Sequence, residues 1–442
     1  MGLISVFVSS RMQEDHSMEK RRFALIGTGN RGTTMWGKDL LAGWREHVDL
    51  TAIVEKNSLR GERARNMIGS NAPLYENIDS MLAEQKPDLV IVCTPDHTHD
   101  DIVVRALESG IDVITEKPMT TSVEKIRRIL DAEKRTGRRV DVSFNYRYAP
   151  TAAKIKELLN AGEIGRVTSV DFHWYLNTKH GADYFRRWHA YKENSGSLFV
   201  HKATHHFDLL NWYLDSDPEA VTSFADLQNY GRKGPFRGPR CKLCPHTHEC
   251  DYYLDLEADP FLDSLYEDPS KIDGYFRDGC VFREDIDIPD TMVVSLRYRN
   301  NVHVSYSLNT FQPIEGHHLA FNGTKGRIEL RQYEAQPWEE PKQDTILLIR
   351  NFPDGKEAVE RIVVPHFTGG HYGGDDRMRN MIFKPDTEDR LAQRAGTRAG
   401  AMSVLCGIAA LESSRTGKVV DIADLMPELA NDGSPNSLRT SR

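Results

Sequence analysis

Three groups of residues in this chain have the types and spacings that do chemistry. The run Gly27-Thr28-Gly29-Asn30-Arg31-Gly32 fits GxGxxG. Glycines at those places allow a tight turn and close backbone approach to a pyrophosphate, and the following helix N-terminus offers unpaired N–H groups to the phosphates. Glu55 lies 23 residues after Gly32, near the roughly 20-residue separation at which a carboxylate meets a ribose hydroxyl. Its charge would repel a 2′-phosphate, which favours NAD over NADP. The second group is His201 and His205, four residues apart and so on one face of a helix. An imidazole titrating at about 6.5 suits accepting a hydroxyl proton, and two at this spacing also suit a divalent metal. The third is Cys241, Cys244, Cys250 and Cys280: a CxxC, a third cysteine six residues on and a fourth beyond an acidic segment, together four of the chain's six cysteines. Such clustering predicts a structural zinc knuckle of four thiolates, with His246 or His248 able to replace one. An iron–sulfur cluster and four unrelated thiols are the alternatives.

The elements around these residues are those of an α/β protein. FALIGTG (Phe23–Gly29) is an apolar strand running into glycines, a helix follows from about Thr33 to Trp44, and DLTAIVE (Asp49–Glu55) is the next strand. PDLVIVCTP (Pro87–Pro95), a helix over DHTHDDIVVRALESG, IDVITEKPM (Ile111–Met119), a charged helix near Val123–Thr136 and RRVDVSFNYRY (Arg138–Tyr148) continue the rhythm. Strand and helix alternating this way predict a parallel, doubly wound Rossmann sheet whose ligands bind beyond the carboxyl ends of its strands. Thr94-Pro95-Asp96-His97, Glu116-Lys117-Pro118 and Asn145-Tyr146-Arg147 fall at such ends. GRVTSVDFHWYLN (Gly165–Asn177) opens a second domain. TMVVSLRYR, NVHVSYSLN, HHLAFNGTKGRIEL and TILLIRNF alternate with period two and predict an antiparallel meander. The glycine-rich stretch His366–Arg379 reads equally as a substrate loop offering His371, Asp375 or Arg377 and as a connector. An Ala-rich helix is expected over Arg390–Ser414.

GxGxxG, then CTPDHTH, TEKPM and NYRY, in this order and spacing, resemble the Gfo/Idh/MocA family of oxidoreductases over roughly residues 21–425. The resemblance implies a Rossmann domain followed by an open, mostly antiparallel sheet domain with helices. It implies NAD(P) as cofactor and oxidation or reduction of one carbon of a sugar, inositol or related polyol. Lys117 would then stand beside substrate and nicotinamide, its ammonium stabilising a developing alkoxide. Glu116 would approach the cofactor ribose, Pro95 and His97 would line the nicotinamide side, and Thr94 and Asn145 join the cofactor contacts. The family carries a glycine run, then an Asp, then a His four residues later. Here Ser195-Gly196-Ser197 occupies the run, His201 takes the aspartate position and His205 keeps the proton-transfer histidine. His201 then either touches substrate and orients Lys117, or joins His205 in holding a metal that polarises the substrate. His206 should point elsewhere, and Lys202 reads as a surface residue. The leading expectation is an NAD-dependent dehydrogenase in which Lys117 and His205 handle the hydroxyl proton. The alternative is a redox-cycling enzyme that oxidises a glycoside, eliminates its substituent and returns the hydride. A non-catalytic dinucleotide sensor is the third class, against which the EKP and His205 positions argue.

With 442 residues the chain is long enough for two domains. They are read as 20–147 and 148–425, the second with the cysteine-containing insertion at about 230–285; 1–19 reads as a flexible extension and 426–442 as a disordered tail. Acidic residues outnumber basic ones, 65 to 57, for a net charge of −8, with no basic block to mark a nucleic-acid partner. No apolar run approaches the roughly 18 residues of a membrane span, and LISVFV near the start lacks the charged flank of an export signal. A cytoplasmic protein is expected, with thiols or metal ligands rather than disulfides, and a homo-oligomer built on the open sheet.

Overall fold

The computed structural model describes residues 20–430 except 340–342, 366, 368, 385 and 386, so the expected extension at 1–19 lies outside the described residues. The first sheet has six strands: β1 (Arg21–Ile26), β2 (Val48–Val54), β3 (Leu74–Tyr75), β4 (Leu89–Val92), β5 (Asp112–Thr115) and β6 (Val140–Val142). Their order is β3-β2-β1-β4-β5-β6, and every recorded pairing is parallel. β1 and β4 are near-continuous apolar runs because helices cover both faces of the sheet. The helix after β1 is wound wide, as a π-type segment over Gly32–Asp39, before continuing as an α-helix over Leu40–Trp44.

The second sheet has nine strands: β7 (Val167–Asn177), β8 (Pro218–Asp226), β9 (Thr291–Tyr298), β10 (His303–Gln312), β11 (Glu315–Gly323), β12 (Gly326–Ala335), β13 (Gln343–Arg350), β14 (Val359–Pro365) and β15 (Val420–Asp421). Its order is β14-β13-β12-β11-β7-β10-β9-β8-β15. The simple meander expected from the alternation is therefore broken. β7 enters between β10 and β11, parallel to the first and antiparallel to the second. Its inward residues Val170, Phe172, Trp174 and Leu176 are fully buried, and a central place is where such a strand removes the most apolar surface from water.

Helices Ala203–Leu214 and Thr397–Thr416 pack together and cover the inner face. The second is rich in small residues where it nearly touches the backbone of the helical turn Leu198–His201: a Cβ at Gly407 would stand 2.4 Å from the Phe199 carbonyl oxygen. It begins later than the sequence reading placed it, because the preceding segment runs along the first sheet, where Val142 N–H donates to Ala395 O at 2.8 Å. Part of the segment expected as a tail is described. Pro427–Ala430 is a helical turn with Met426 and Leu429 buried, and only 431–442 lies outside the described residues. No helix among the described residues is long and apolar enough to cross a membrane.

Candidate active site

A cavity of about 680 Å³ opens where the carboxyl ends of the first sheet meet the second domain. Gly27 begins its floor with φ +89°, and a Cβ there would lie 2.8 Å from the Cys93 carbonyl. A Cβ at Gly32 would meet Gly27 O at 2.1 Å. Neither position tolerates a side chain, and the close turn they allow is the kind of cradle a pyrophosphate takes. Thr28 is buried beneath it, its N–H and hydroxyl both donating to Glu55 Oε2 at 2.9 and 3.0 Å. Glu55 Oε1 accepts from Asn57 N–H. Glu55 thus fixes the loop and also lines the cavity, together with Gly29, Asn30 and Arg31. Asn30 N–H, one of the helix N-terminal donors, gives its hydrogen bond to the Tyr266 hydroxyl at 2.7 Å.

Tyr266 belongs to the insertion, which reaches back over the Rossmann domain. Helices Pro260–Tyr266 and Ser270–Asp273 lie on helix Ser58–Ile68, burying Leu265 and Tyr266 against Ala64. Arg63 donates to Ser264 O and pairs with Asp268, Asn57 Nδ2 donates to Pro269 O, and Arg60 pairs with Asp273 at 2.7 Å. The sequence showed the insertion but not this docking, which depends on side chains far away in the chain.

At the other end of the cavity Lys117, His189, His201, His205 and His371 converge with Asp96 and Arg187. Lys117 Nζ donates to His201 O at 3.0 Å. Burial lowers its pKa to about 8, with Asp96 and Glu116 acting against the shift. His201 Nδ1 and Asp96 Oδ2 are 2.6 Å apart. Burial pushes Asp96 up and His201 well down, both in the direction that leaves one proton on the pair. His205 is pushed well below its ordinary value, first by burial and then by Lys117 and His371, so it is a neutral base. Its ring stands edge-on to Tyr146 at 4.9 Å. The Nδ1 atoms of His205 and His189 are buried with no hydrogen-bond partner among the described residues.

Several expectations change here. Glu116 lines the cavity and is also held by Arg31 Nε at 2.7 Å and Trp36 Nε1 at 2.8 Å, a tie to the glycine loop that the sequence did not show. Arg31 also pairs with Asp375, and Asn145 Nδ2 donates to both His371 and Asp375. The glycine-rich stretch is therefore a site loop for His371 and Asp375, whereas Arg377 turns away to stack on Phe367. Lys202 is not a surface residue: it is buried over the rings of Tyr146 and Trp174. His206 does point elsewhere, stacked on Trp174 and bonded to the Tyr306 hydroxyl at 2.7 Å. Arg147 anchors helix Ala203–Leu214 through a twin hydrogen bond to Asp208, at 2.7 and 2.6 Å, both side chains buried. Thr94, Pro95 and His97 line the cavity as expected, while Asp96, Arg187 and His189 were missed. Asp96 stood in a strand-end run noted from the sequence but was given no role, Arg187 and His189 stood in a stretch given none, and only tertiary packing turns all three inward.

Among the described residues no three His, Cys, Asp or Glu side chains stand together as a ready metal site. For His201 and His205 the contacts favour the reading without a metal, since His201 is engaged by Asp96 and no third donor joins the pair among the described residues. Cys241, Cys244, Cys250 and Cys280 do gather around one small cavity. His246 instead stacks on Phe236 and pairs with Glu249, and neither it nor His248 lines that cavity.

Comparison with known proteins agrees with this architecture. Residues 21–144 match the oxidoreductase family model for an NAD-binding Rossmann fold, and residues 156–422 match the same family's C-terminal α/β domain model. A Bacillus subtilis protein named as an oxidoreductase, YteT, is 36% identical over 426 residues, covering 92% of this chain and 98% of its own. An inositol 2-dehydrogenase/D-chiro-inositol 3-dehydrogenase of Lactiplantibacillus plantarum is 26% identical over 183 residues, 41% of this chain and 49% of its own. The WlbA dehydrogenase of Bordetella pertussis, solved with NADH and UDP-GlcNAcA, shares the fold with a TM-score of 0.61 at 20% identity, over 91% of this chain and 99% of its own. With both family domains matched in order across nearly the whole described chain, the protein belongs to the Gfo/Idh/MocA family of NAD-binding oxidoreductases.

Proposed function

We propose that this oxidoreductase removes hydride from a secondary hydroxyl of a sugar, inositol or related polyol, with NAD as acceptor. The observation that carries the reading is the placement of Lys117 and a neutral His205 at one end of the cavity whose other end is the glycine cradle. NAD, when bound, accepts the hydride; the loop of Gly27 and Gly29 would hold its pyrophosphate, and the carboxylate of Glu55 disfavours a 2′-phosphate. The rest falls to the protein. Lys117 Nζ holds the reacting oxygen and stabilises its charge as the proton leaves. His205 accepts that proton on its imidazole, which lines the cavity and has no recorded hydrogen bond of its own. His201, tied to Asp96, keeps Lys117 in place through its carbonyl and offers its ring to a neighbouring hydroxyl. A dehydrogenase relative that acts on inositol supports a polyhydroxylated substrate.

The direct test is NADH formation, followed by absorbance, over a panel of inositols, aldoses and glycosides. Turnover with a neutral non-hydroxylated substrate and none with any polyol would refute the reading. A pH profile tests the role of Lys117. Because the ammonium is the working form and burial lowers its pKa to about 8, kcat/KM for oxidation is expected to hold at neutral pH and fall as pH rises through about 8. A rate that instead rises through that range would make the free amine of Lys117 the base.

A second reading, oxidation and re-reduction around an elimination, is favoured by the insertion lying over the cradle through Tyr266 and Asn30, since redox cycling needs a cofactor that stays. Stoichiometric NADH in solution would exclude it as the main activity; released sugar with no NADH would establish it. A homo-oligomer fits the outer face of the second sheet, where Phe224 and Val293 are cross-strand neighbours exposed by 78% and 48%.

A further inference from the structure

We propose that Cys241, Cys244, Cys250 and Cys280 form a tetrathiolate site for one soft divalent cation of the zinc class, which fastens the insertion lying over the dinucleotide cradle. The four sulfurs come from three separate stretches of chain and line one cavity of about 10 Å³. That volume suits a single ion or water. The other two cysteines of the chain, Cys93 and Cys406, lie elsewhere, in the two domain cores.

The backbone aligns the ligands. An isolated antiparallel bridge pairs Arg240 with Gly279, Cys241 N–H donates to Asp278 O at 2.9 Å and Cys280 N–H to Pro239 O at 3.4 Å, so Cys241 and Cys280 lie diagonally across the bridge. Cys244 N–H donates to Cys241 O at 3.1 Å and closes the CxxC turn. Phe282 N–H points at Cys280 Sγ at 3.4 Å, a donor that favours a thiolate over a thiol.

An independent observation concerns charge. Arg186 is buried, donates from Nη1 to Cys241 Sγ at 3.2 Å and to Gly279 O, and from Nη2 to Tyr252 O. Its neighbours Arg240 and Arg277 are matched by Glu267, Asp278 and Asp183, but Arg186 has no carboxylate partner among the described residues. A buried guanidinium without an anion is costly. Four thiolates around one dication carry two negative charges, and Arg186 touches one of the four. The sulfurs surround the cavity without yet standing at coordinating separation, so the ion itself draws them to the roughly 2.3 Å of a zinc–thiolate bond. Each cysteine loses its proton to solvent as it binds, and no oxidant is needed. The flanks of the insertion pack into the main core through Tyr230, Val281 and Phe282, and a metal tie would couple those flanks to the intervening stretch that carries Tyr266 to Asn30.

The test uses the full-length protein. Elemental analysis is expected to find about one zinc per chain, with Cys244→Ser and Cys250→Ser each reducing it at least about tenfold. Loading the metal-stripped wild-type protein with cobalt(II) avoids reliance on the folding of the variants. Thiolate-to-cobalt charge-transfer bands with tetrahedral ligand-field absorption would support the site. Zinc loss is also expected to speed proteolysis within 230–285 and to weaken NAD binding, measured without turnover by fluorescence. Six reactive thiols with no stoichiometric metal would overturn the proposal. So would two to four missing thiols restored by reductant, which would mean disulfides, or a zinc content unmoved by both substitutions.

Discussion

Lys117→Met is expected to lower kcat by about 10²–10³-fold, the usual loss when one charge-stabilising donor is removed from a reacting oxygen. Methionine keeps the length and apolar stem, so the change removes the ammonium and little else. Lys117 also holds the His201 carbonyl, and some loss will come through that contact. The two contributions separate by pH. The wild-type fall through about 8 should vanish in the variant, because the group that titrates is gone. NAD affinity should change by less than a few fold, since the cradle residues Gly27, Thr28 and Glu55 make no recorded bond to Lys117. A variant with near-wild-type kcat would remove Lys117 from the chemistry, and one that lost NAD binding outright would show that the cavity had rearranged.

The second large effect is on stability. Arg147→Met should destabilise the protein by about 3–5 kcal/mol, because it strands the Asp208 carboxylate in the core. Burial already pushes the Asp208 pKa upward, against the pull of Arg147. Without the guanidinium the carboxyl has either to take up a proton or to draw water into the core. The pair also joins the Asn145–Tyr148 turn of the first domain to helix Ala203–Leu214, which carries His205. Denaturant midpoints for Arg147→Met, Asp208→Asn and the double variant form the check. The double variant should recover a large part of the loss, whereas additive losses would show that the two side chains act separately.

Much of this was legible in the sequence because it is local. A strand ending in GxGxxG, an acid at the end of the next strand and a lysine at a third strand end all depend on short-range pattern, and the parallel sheet follows from alternation. His205 and His206 could be assigned opposite directions from helical spacing alone. The failures are long-range. Lys202 reads as surface because lysine ordinarily is, and only the rings of Tyr146 and Trp174 reveal why it is buried. Arg31 falls inside the glycine fingerprint, yet its partners Glu116 and Asp375 come from two other parts of the chain. Period two marks β7 as a half-buried strand but says nothing about which strands flank it.

That last feature has a consequence for how the protein is made. Both neighbours of β7, β10 and β11, are translated roughly 130 residues after it. At about 5–20 residues per second a ribosome delivers them on the order of ten seconds later. Throughout that interval Phe172 and Trp174 belong to a strand with two open edges, while the first sheet already has all six of its strands. Topology thus leaves the second half exposed for longer than the first, and swapping codons to speed translation between Asn177 and His303 should raise the soluble yield without altering a single residue.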